Sequence, residues 1–479
     1  MTSKKLYTDL VVIGGGAAGL PAALTALEMG VERVTLLEKR NVVGGNANMA
    51  GGYIFAADAY THKEAGISYK CDEVFREAIK FHHYTLVQPT VLRAFIDRSA
   101  ESLEWLRQKG FEYEYSQMMG NMPKGGPTPP GTFAKTMRAL KASFLSLGGQ
   151  LFTFTPATNI ITDRKGAVTG VEATDRDGNN LLLHTKAVML SPGGFLGNDE
   201  LLCHYFPHDY SPGCYNTDAI KMSGDGVFLA EKAGAKLSPK CTLAKETGYS
   251  FTAKHGYPNR LAHIRGAVWV NKLGRRFSDE ADGHDDESTN ALTMQPDMLG
   301  FLLMDEHQVQ RQAENPDMAA FGGPPDPSFL NVKERLIKEA AAGEWSCISE
   351  DWEGIAKWIG ADIELLKSTI EEYNGFCDAG RDGLFAKDPA NLIPLRKPPF
   401  YALKFKPLMI ETIGPVVIDA KMQVLDVEYK PIAGLYAGGA ITSGWQGDDY
   451  HLWGANLGYG LTSGRIAAEN ITHYIKTSR

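Results

Sequence analysis

Long apolar runs are missing from this sequence. No stretch approaches the roughly 18 consecutive apolar residues of a membrane-spanning helix, so no membrane span is predicted. No signal peptide is predicted either, because the segment MTSKKLYTDL leads directly into a glycine-rich motif and has no apolar stretch or cleavage site. We therefore expect a cytoplasmic protein.

Paired cysteine motifs are absent as well. The six cysteines are scattered without a CxxC or CxxCH arrangement, which argues against a zinc site, a redox disulfide and an attached c-type haem. The net charge is -8, with acids and bases interspersed, so neither a nucleic-acid partner nor a polybasic membrane patch is predicted. The sequence indicates no metal site.

The first motif that is present lies in DLVVIGGGAAGLPAALTALEMG. It predicts an apolar strand at 10–13, a glycine turn, and a helix with apolar residues at helical spacing through Met29. Gly14, Gly16 and Gly19 match G-x-G-x-x-G. In this pattern the first glycine permits a tight turn, the second lets the backbone approach a pyrophosphate, and the third lets helix and strand pack closely.

A second strand, in RVTLLEKR, supports a dinucleotide site over a plain strand-to-helix connection. It ends at Glu38, about 20 residues after the turn, where a carboxylate hydrogen-bonds the ribose hydroxyls of a bound dinucleotide. These two segments together predict a nucleotide fold, but they leave NAD and FAD as alternatives.

Further motifs favour FAD. Five segments resemble, in the same order, those of FAD enzymes in the fumarate reductase and 3-ketosteroid dehydrogenase superfamily: VVGGNANMAGG (42–52), ATNIITD (157–163), SPGGF (191–195), SGDGVFLAEKAGA (223–235) and GLYAGGAIT (434–442). The resemblance covers nearly the whole chain. It implies an α/β fold, with a Rossmann-type, glutathione-reductase-like FAD-binding domain and an inserted α+β cap domain that carries the substrate.

The resemblance also implies the residues that bind FAD. They come from the glycine-rich segments and from the start of the last helix: Gly14, Gly16, Ala18, Gly19, Glu38, Lys39, Gly44, Gly45, Asn46, Gly51, Gly52, Ala157, Gly193, Asp225, Gly439, Ala455, Asn456 and Leu457. The succinate dehydrogenase branch attaches FAD to a histidine at the position of Gly45, so non-covalent FAD is expected. A second nucleotide fingerprint is absent, which predicts an external electron donor or acceptor.

The order of the motifs predicts the domain organisation. A chain of 479 residues with 43% hydrophobic composition is long enough for two domains. FAD-type motifs occupy residues 1–240 and return in 400–479, so 241–399 is predicted to be the cap. Helix-like NVKERLIKEAAAG and DIELLKSTIEEYNGFCDAG lie in that interval. In the superfamily the cap closes over the flavin and completes the active site.

A candidate acid–base group lies in the predicted cap. The segment RGAVWVNKLGRRFSDEADGHDDE (265–287) resembles one after which the superfamily places its proton-transferring residue, four positions beyond the glutamate matched by Glu280. That count gives His284, and an imidazole has a suitable pKa for proton transfer near neutral pH. Two alternatives stay open: Asp285 as the acid–base group, or a solvated acidic loop without a catalytic role.

Glu411 bears on the charge of the substrate. It lies in IETIGP (410–415), at the position where fumarate reductases have a histidine that contacts a substrate carboxylate. A carboxylate there would repel a dicarboxylic acid, so fumarate and succinate are not the expected substrates.

The segment YHLWGANLGYGLTSGR (450–465) resembles one in the 3-ketosteroid dehydrogenases. The resemblance implies that the Tyr450 hydroxyl and the Gly454 N–H hold a ketone oxygen, while the following helix begins at the flavin. A core tyrosine without a catalytic role is the alternative. The bulk of His451, Leu452 and Trp453 differs from the family and favours a smaller substrate than a steroid.

These features predict an FAD-dependent oxidoreductase acting on CH–CH groups. The expected reaction is the introduction of a C=C bond α,β to a ketone of a cyclic substrate, either a 3-ketosteroid or a smaller alicyclic ketone, by α-proton abstraction and hydride transfer to the flavin. The alternative is an ene-reductase of an unsaturated acid or an enone, similar to fumarate and urocanate reductases. A flavin-binding electron-carrier subunit is a third possibility, and the sequence does not indicate an oligomeric state.

Overall fold

The computed structural model describes residues 4–115, 127–128, 133–211, 214–216, 222–249, 264–282, 286–314, 331–343 and 345–478. The strands are β1 Lys4–Tyr7, β2 Leu10–Ile13, β3 Val34–Leu37, β4 Glu114–Tyr115, β5 Pro127–Thr128, β6 Gln150–Phe152, β7 Ala157–Thr162, β8 Val168–Thr174, β9 Asn180–His184, β10 Ala187–Leu190, β11 Tyr215–Asn216, β12 Thr242–Tyr249, β13 Val268–Asn271, β14 Gly300–Asp305, β15 Ser346–Ser349, β16 Phe400–Ile413, β17 Gln423–Leu425 and β18 Pro431–Ala437.

The helices are α1 Gly19–Glu28, α2 Tyr60–Glu64, α3 Cys71–His82, α4 Pro89–Gln108, α5 Phe133–Ser146, α6 Asp199–Tyr205, α7 Asp225–Lys232, α8 Asp286–Thr293, α9 Glu306–Glu314, α10 Val332–Ala342, α11 Trp352–Ile359, α12 Ile363–Ala379 and α13 Ala455–Thr477. Within the described ranges, no helix combines the length and the apolar character needed to cross a membrane.

The chain divides into two compact units. The first contains Met1–Phe206, Asp218–Ala244 and Glu411–Arg479, and the second contains Pro207–Thr217 and Lys245–Ile410. That the ranges 1–240, 241–399 and 400–479 fold as domains remains a prediction.

The first unit is built on a six-stranded sheet in the order β17-β18-β10-β2-β3-β6. All neighbours pair in parallel except β17 and β18, which are antiparallel. Every residue of β2, β3 and β10 is buried, as expected for parallel strands covered on both faces. The carboxyl ends of these strands lie at one edge of the sheet, where ligands of open parallel sheets commonly bind.

A second sheet of the same unit has the order β1-β9-β8-β7. The strands β7, β8 and β9 form an antiparallel meander, and β1 pairs with β9 in parallel. Asp163 and Asp175 form its two turns, in each of which the carboxylate accepts backbone N–H bonds two and four residues ahead.

The second unit contains a sheet in which β16 pairs with β14 and β15 in antiparallel fashion and with β11 in parallel. Alternate residues of its strands pack into two separate apolar clusters, as the strand period of two requires. One cluster includes Trp269, Leu302, Tyr401 and residues of α9 and α10, and the other includes Val270, Phe301, Ala402 and residues of α11 and α12. The two helices predicted from the sequence in this unit are α10 and α12.

Candidate active site

The first glycine turn connects β2 to α1. Gly14 has a φ of 93°, and a Cβ added there would lie 2.5 Å from the Ser191 carbonyl oxygen. A Cβ at Gly19 would lie 1.9 Å from the Gly14 carbonyl oxygen. Only glycine fits at these two positions, one for its backbone angle and both for their close contacts.

Gly16 differs from its two neighbours in the motif. An added Cβ would have no heavy atom within 4 Å, so space is open beside this part of the backbone. Among the described residues, the N–H groups of Gly16, Ala17 and Ala18 have no acceptor. Open space, free N–H groups and a helix N-terminus together fit the pyrophosphate of a dinucleotide.

Glu38 follows β3 directly and is only 7% exposed. One carboxylate oxygen accepts the N–H of Gly15 at 3.0 Å and the other accepts the N–H of Arg40 at 2.9 Å. These bonds fix the carboxylate beside the glycine turn, and each oxygen retains capacity for a further hydrogen bond. The predicted ribose contact is compatible with this geometry and stays a prediction.

Lys39 and Asp225 are bound to each other. The Lys39 ammonium donates to the Ser223 hydroxyl at 2.6 Å and to the Asp225 carboxylate at 2.9 Å. Burial alone would raise the pKa of Asp225, but the hydrogen bonds from Lys39 and Ser223 outweigh it and lower that pKa. The sequence predicted two FAD-binding residues here without predicting that they pair.

The second glycine segment lies against the first. Gly44 has a φ of 120° and Gly45 one of 52°, and the Gly44 N–H donates to the Gly15 carbonyl at 2.8 Å. Asn46 then donates from its amide nitrogen to the Glu411 carboxylate at 2.9 Å. The buried amide oxygen of Asn46 has no partner within the described chain, so it remains available to a ligand.

The remaining predicted FAD residues lie on loops or at element ends of the first unit. Gly52, Gly193 and Gly439 have φ values of 93°, 86° and 74°. An added Cβ at Gly51 would make only ordinary contact with Tyr53, at 3.5 Å. Ala157 is the first residue of β7. These positions are compatible with the prediction and do not test it.

The start of α13 is built around Gly454. This residue has a φ of 74°, and an added Cβ would lie 2.9 Å from both the Phe55 nitrogen and the Tyr53 carbonyl oxygen. The Ala455 N–H donates to the Leu452 carbonyl at 2.9 Å. Position 454 is therefore closed to any side chain.

Tyr450 accepts a hydrogen bond from one of the N–H groups at the start of α13. The Asn456 N–H donates to the Tyr450 hydroxyl oxygen at 3.2 Å. Within the described chain, the N–H groups of Gly454 and Leu457 have no acceptor. The Tyr450 oxygen is the acceptor in this bond, and a phenol hydroxyl can also act as a donor. Of the three helix-start residues predicted to bind FAD, Leu457 alone keeps an unbonded N–H.

His284 and Asp285, the predicted acid–base candidates, lie outside the described residues, and their roles stay predictions. Glu280, four residues before His284, is described and fully buried. Its carboxylate accepts two bonds from Arg276, at 2.8 and 2.9 Å, and one from Lys387 at 3.2 Å. Arg276 also donates to Asp382 at 2.8 Å. No sequence pattern indicated Asp382 or Lys387, which lie more than 100 residues away along the chain.

The dinucleotide-type glycine turn, the unbonded N–H groups and the parallel sheet define a flavoprotein fold of the Rossmann type. The chain belongs to the FAD binding domain family, which matches residues 9–457. FAD is therefore its cofactor, and the protein is an FAD-dependent oxidoreductase. Gly45 offers no side chain for attachment, and the non-covalent linkage stays a prediction.

Three curated relatives are similar along most of this chain. The vinyl phenol reductase of Lactiplantibacillus plantarum is 29% identical over 97% of this chain and 96% of its own length. The NADH:acrylate oxidoreductase of Vibrio harveyi is 28% identical over 98% of this chain, but the chain spans only 50% of that protein. The NADH:fumarate oxidoreductase of Klebsiella pneumoniae is likewise matched over only 45% of its length.

Solved structures of the predicted superfamily share the fold. The 3-ketosteroid Δ1-dehydrogenase of Sterolibacterium denitrificans matches with a TM-score of 0.79 at 20% identity, over 98% of this chain and 99% of that one. A flavocytochrome c3 fumarate reductase matches with a TM-score of 0.76 at 23% identity, over 98% of this chain and 79% of that one. These structures confirm the predicted fold class, and the family match over residues 9–457 agrees with the predicted superfamily.

Proposed function

We propose that this protein reduces a C=C bond conjugated to an oxygen-bearing group of a small cyclic substrate, such as an enone or a vinyl-substituted phenol. The observation that carries the proposal is the Tyr450 hydroxyl, which accepts the Asn456 N–H at the start of α13, two residues after Gly454, whose N–H has no acceptor within the described ranges. The names of the vinyl phenol reductase and the NADH:acrylate oxidoreductase support the reductive direction.

The two donors are suited to an oxygen that becomes negative during the reaction. Bound FAD, once reduced by the external electron donor, would supply the hydride. As hydride adds to the β carbon of an enone, negative charge develops on the carbonyl oxygen. A 4-vinylphenol would first lose its phenol proton and gain a proton at the terminal carbon, which gives a quinone methide; hydride addition to the carbon next to the ring then leaves the negative charge on the phenolate oxygen. The Tyr450 O–H and the Gly454 N–H would stabilise that charge. Each such donor typically lowers the activation free energy by a few kcal/mol.

Glu411 supports a neutral substrate. Its carboxylate is only 7% exposed and accepts the Asn46 amide at 2.9 Å. A negative charge held in a buried position repels a second carboxylate more strongly than an exposed one does, because the local dielectric constant is lower. An enone or a phenol avoids this repulsion, whereas fumarate does not.

His284 remains the proposed source of the proton that reaches the second carbon of the double bond, with Asp285 as the alternative. Oxidation of a saturated cyclic ketone uses the same donors in reverse and is the second candidate reaction. A cytoplasmic location also remains a proposal, which cell fractionation with a specific antibody would test.

Tyr450→Phe tests the proposal because it keeps the ring and removes one donor. Reduced enzyme should be mixed anaerobically with cyclohexenone, 4-vinylphenol, acrylate or fumarate, and flavin reoxidation followed at 450 nm. We expect a neutral substrate to react fastest, and the variant to reoxidise about 10- to 1000-fold more slowly with it.

Tyr436→Phe is the matched control, because that hydroxyl bonds to the Asn470 carbonyl, at 3.5 Å, and to the Gln423 side chain, and has no role in the proposed reaction. It should reoxidise at the wild-type rate. Equal rates for wild type and Tyr450→Phe would refute the assigned role of Tyr450, and a preference for fumarate would refute the neutral substrate.

A further inference from the structure

Three rings meet where α3 ends. Phe81 and His451 stack face to face, with ring centroids 4.1 Å apart and an interplanar angle of 13°. His82 packs edge-on against His451, with centroids 5.6 Å apart and an angle of 88°. We call Phe81, His82 and His451 the ring clamp. It joins α3 to the loop that carries Tyr450, since His451 is the next residue.

The ring clamp is uncharged near neutral pH. Burial lowers the pKa of His82 to about 4, although Asp448 and Gln446 act in the opposite direction. Burial also lowers the pKa of His451 to about 4, with His82 as a smaller cause. Both imidazoles are therefore neutral, so packing holds the clamp and no ion pair is needed.

The surroundings of the clamp leave little room for movement. A Cβ added at Gly447 would lie 2.4 Å from the Nδ1 atom of His82, and Leu452 is only 1% exposed. The backbone N–H of His451 donates to the Gln446 side-chain oxygen at 3.4 Å. The loop on both sides of His451 is thus fixed by close contacts.

The backbone that follows α3 is strained. His83 and Tyr84 have φ values of 50° and 62°, and Leu86 has one of 59°. Residues with side chains rarely adopt this conformation, and it persists only where surrounding contacts impose it. Three such residues within four positions indicate that the end of α3 is held in place against local preference.

We propose that His451 is a positioning residue, whose stacked ring in the clamp orients Tyr450 so that its hydroxyl meets the Asn456 N–H. The role rests on the proposed function of Tyr450. His451 acts through its flat ring against Phe81, and its imidazole nitrogens take no part in proton transfer. Phenylalanine should therefore replace it, whereas alanine should not.

A double-mutant cycle tests this inference through the rate of flavin reoxidation per bound FAD. We expect flavin reoxidation in His451→Ala to be about tenfold slower than in wild type, in the range of effects from misplaced catalytic groups. The rate in His451→Phe should stay within about threefold of the wild-type rate. In the Tyr450→Phe background, His451→Ala should add less than about twofold, because the hydroxyl that it positions is gone.

Hydrogen exchange of the apoprotein gives a second readout that needs no flavin. Loss of the stack should free Tyr450 and leave the Asn456 N–H without its acceptor. His451→Ala should therefore speed exchange in 450–457, His451→Phe should not, and the buried strand β2 should exchange equally in all variants.

The outcomes separate the two proposals. If His451→Phe is as slow as His451→Ala, the imidazole itself acts and the positioning role is overturned. Equal slowing of His451→Ala in both backgrounds also overturns it, because His451 then acts independently of Tyr450. If Tyr450→Phe reacts like wild type, the proposed function of Tyr450 fails and the positioning role fails with it.

Discussion

Gly16 and Gly19 belong to one motif but are glycines for different reasons. At Gly19 an added Cβ would lie 1.9 Å from a backbone oxygen, whereas at Gly16 it would project into open space. The fold thus requires glycine at position 19, whereas at position 16 we propose that bound FAD requires it. The two can be separated experimentally, because only one of them bears on the stability of the apoprotein.

Gly16→Ala should fold normally and bind FAD weakly. We expect its apoprotein to have the same melting temperature as the wild-type apoprotein. Its Kd for FAD should rise by about tenfold or more, equivalent to about 1.4 kcal/mol. Titration of apoprotein with FAD, followed by flavin fluorescence, measures the shift. Gly19→Ala is the contrasting variant, since its apoprotein should already be destabilised. Unchanged affinity in Gly16→Ala would remove the pyrophosphate from this position.

Local backbone requirements were predictable from the sequence, and long-range pairs were not. The glycine turn could be predicted because each glycine is needed within one short segment. The Asn46–Glu411 bond joins residues 365 positions apart, and the His82–His451 contact has no sequence signature either. Such contacts depend on how strands and helices are ordered in space, which a single sequence does not specify.

At the scale of elements, α13 packs closely on the glycine turn and α1. An added Cβ at Gly464 would lie 2.2 Å from the Ala18 carbonyl oxygen, and one at Gly460 would lie 2.9 Å from the Cβ atom of Ala17. The helix therefore approaches Ala17 and Ala18, where the N–H groups proposed for FAD are located. Small residues on α13 thus serve the geometry of the cofactor site.

Gly464→Ala should destabilise the protein by about 1–3 kcal/mol, the usual effect of overpacking. Gly375→Ala is a matched control in α12, because an added Cβ there has nothing within 4 Å. That substitution should be neutral or stabilise by roughly 0.5–1 kcal/mol, since glycine is a poor helix former. Urea unfolding of both apoproteins measures the difference. A Gly464→Ala variant as stable as wild type would show that α13 can shift.

The buried ion network of the second unit should make stability depend on acid pH. Burial alone would raise the pKa of Glu280, but Lys387 and Arg276 lower it, and Arg276 likewise lowers the pKa of Asp382 against burial. Because both folded-state values are depressed, the network stabilises the protein above the ordinary carboxyl pKa. That stabilisation is lost as the pH falls through the depressed values, below about pH 4.

Glu280→Gln should lower the free energy of unfolding at pH 7 by about 3–5 kcal/mol, because two buried cations lose a partner. It should also flatten the dependence of the melting temperature on pH between 3 and 6. Glu428→Gln is the control, since Glu428 pairs with Lys430 at an exposed position. Melts across that pH range check both. A parallel pH dependence in Glu280→Gln and wild type would contradict the role of the network.

The elements of the second unit were predicted unevenly. The helices α10 and α12 have long apolar patterns of period 3.6, and both were predicted. The pairing of β16 with β11, β14 and β15 was not, because these strands lie far apart in the chain and only tertiary packing selects their order. Sequence periodicity thus indicates the elements, while their arrangement requires the structure.

For the whole molecule, the source of electrons decides how the reaction can run. The sequence has one dinucleotide fingerprint, at Gly14, Gly16 and Gly19, and the family match assigns that fold to FAD. The NADH-dependent relatives from Vibrio harveyi and Klebsiella pneumoniae are matched over only 50% and 45% of their lengths. This chain is thus similar to about half of each of these two proteins.

We therefore expect this chain to accept electrons from a separate donor and not directly from NADH. Under anaerobic conditions, reduced methyl viologen should bleach the FAD absorbance at 450 nm within seconds, whereas NADH alone should leave it nearly unchanged over minutes. Addition of a substrate to the viologen-reduced enzyme should then restore the absorbance, which shows that the bleached flavin is competent. Rapid bleaching by NADH alone would contradict the prediction.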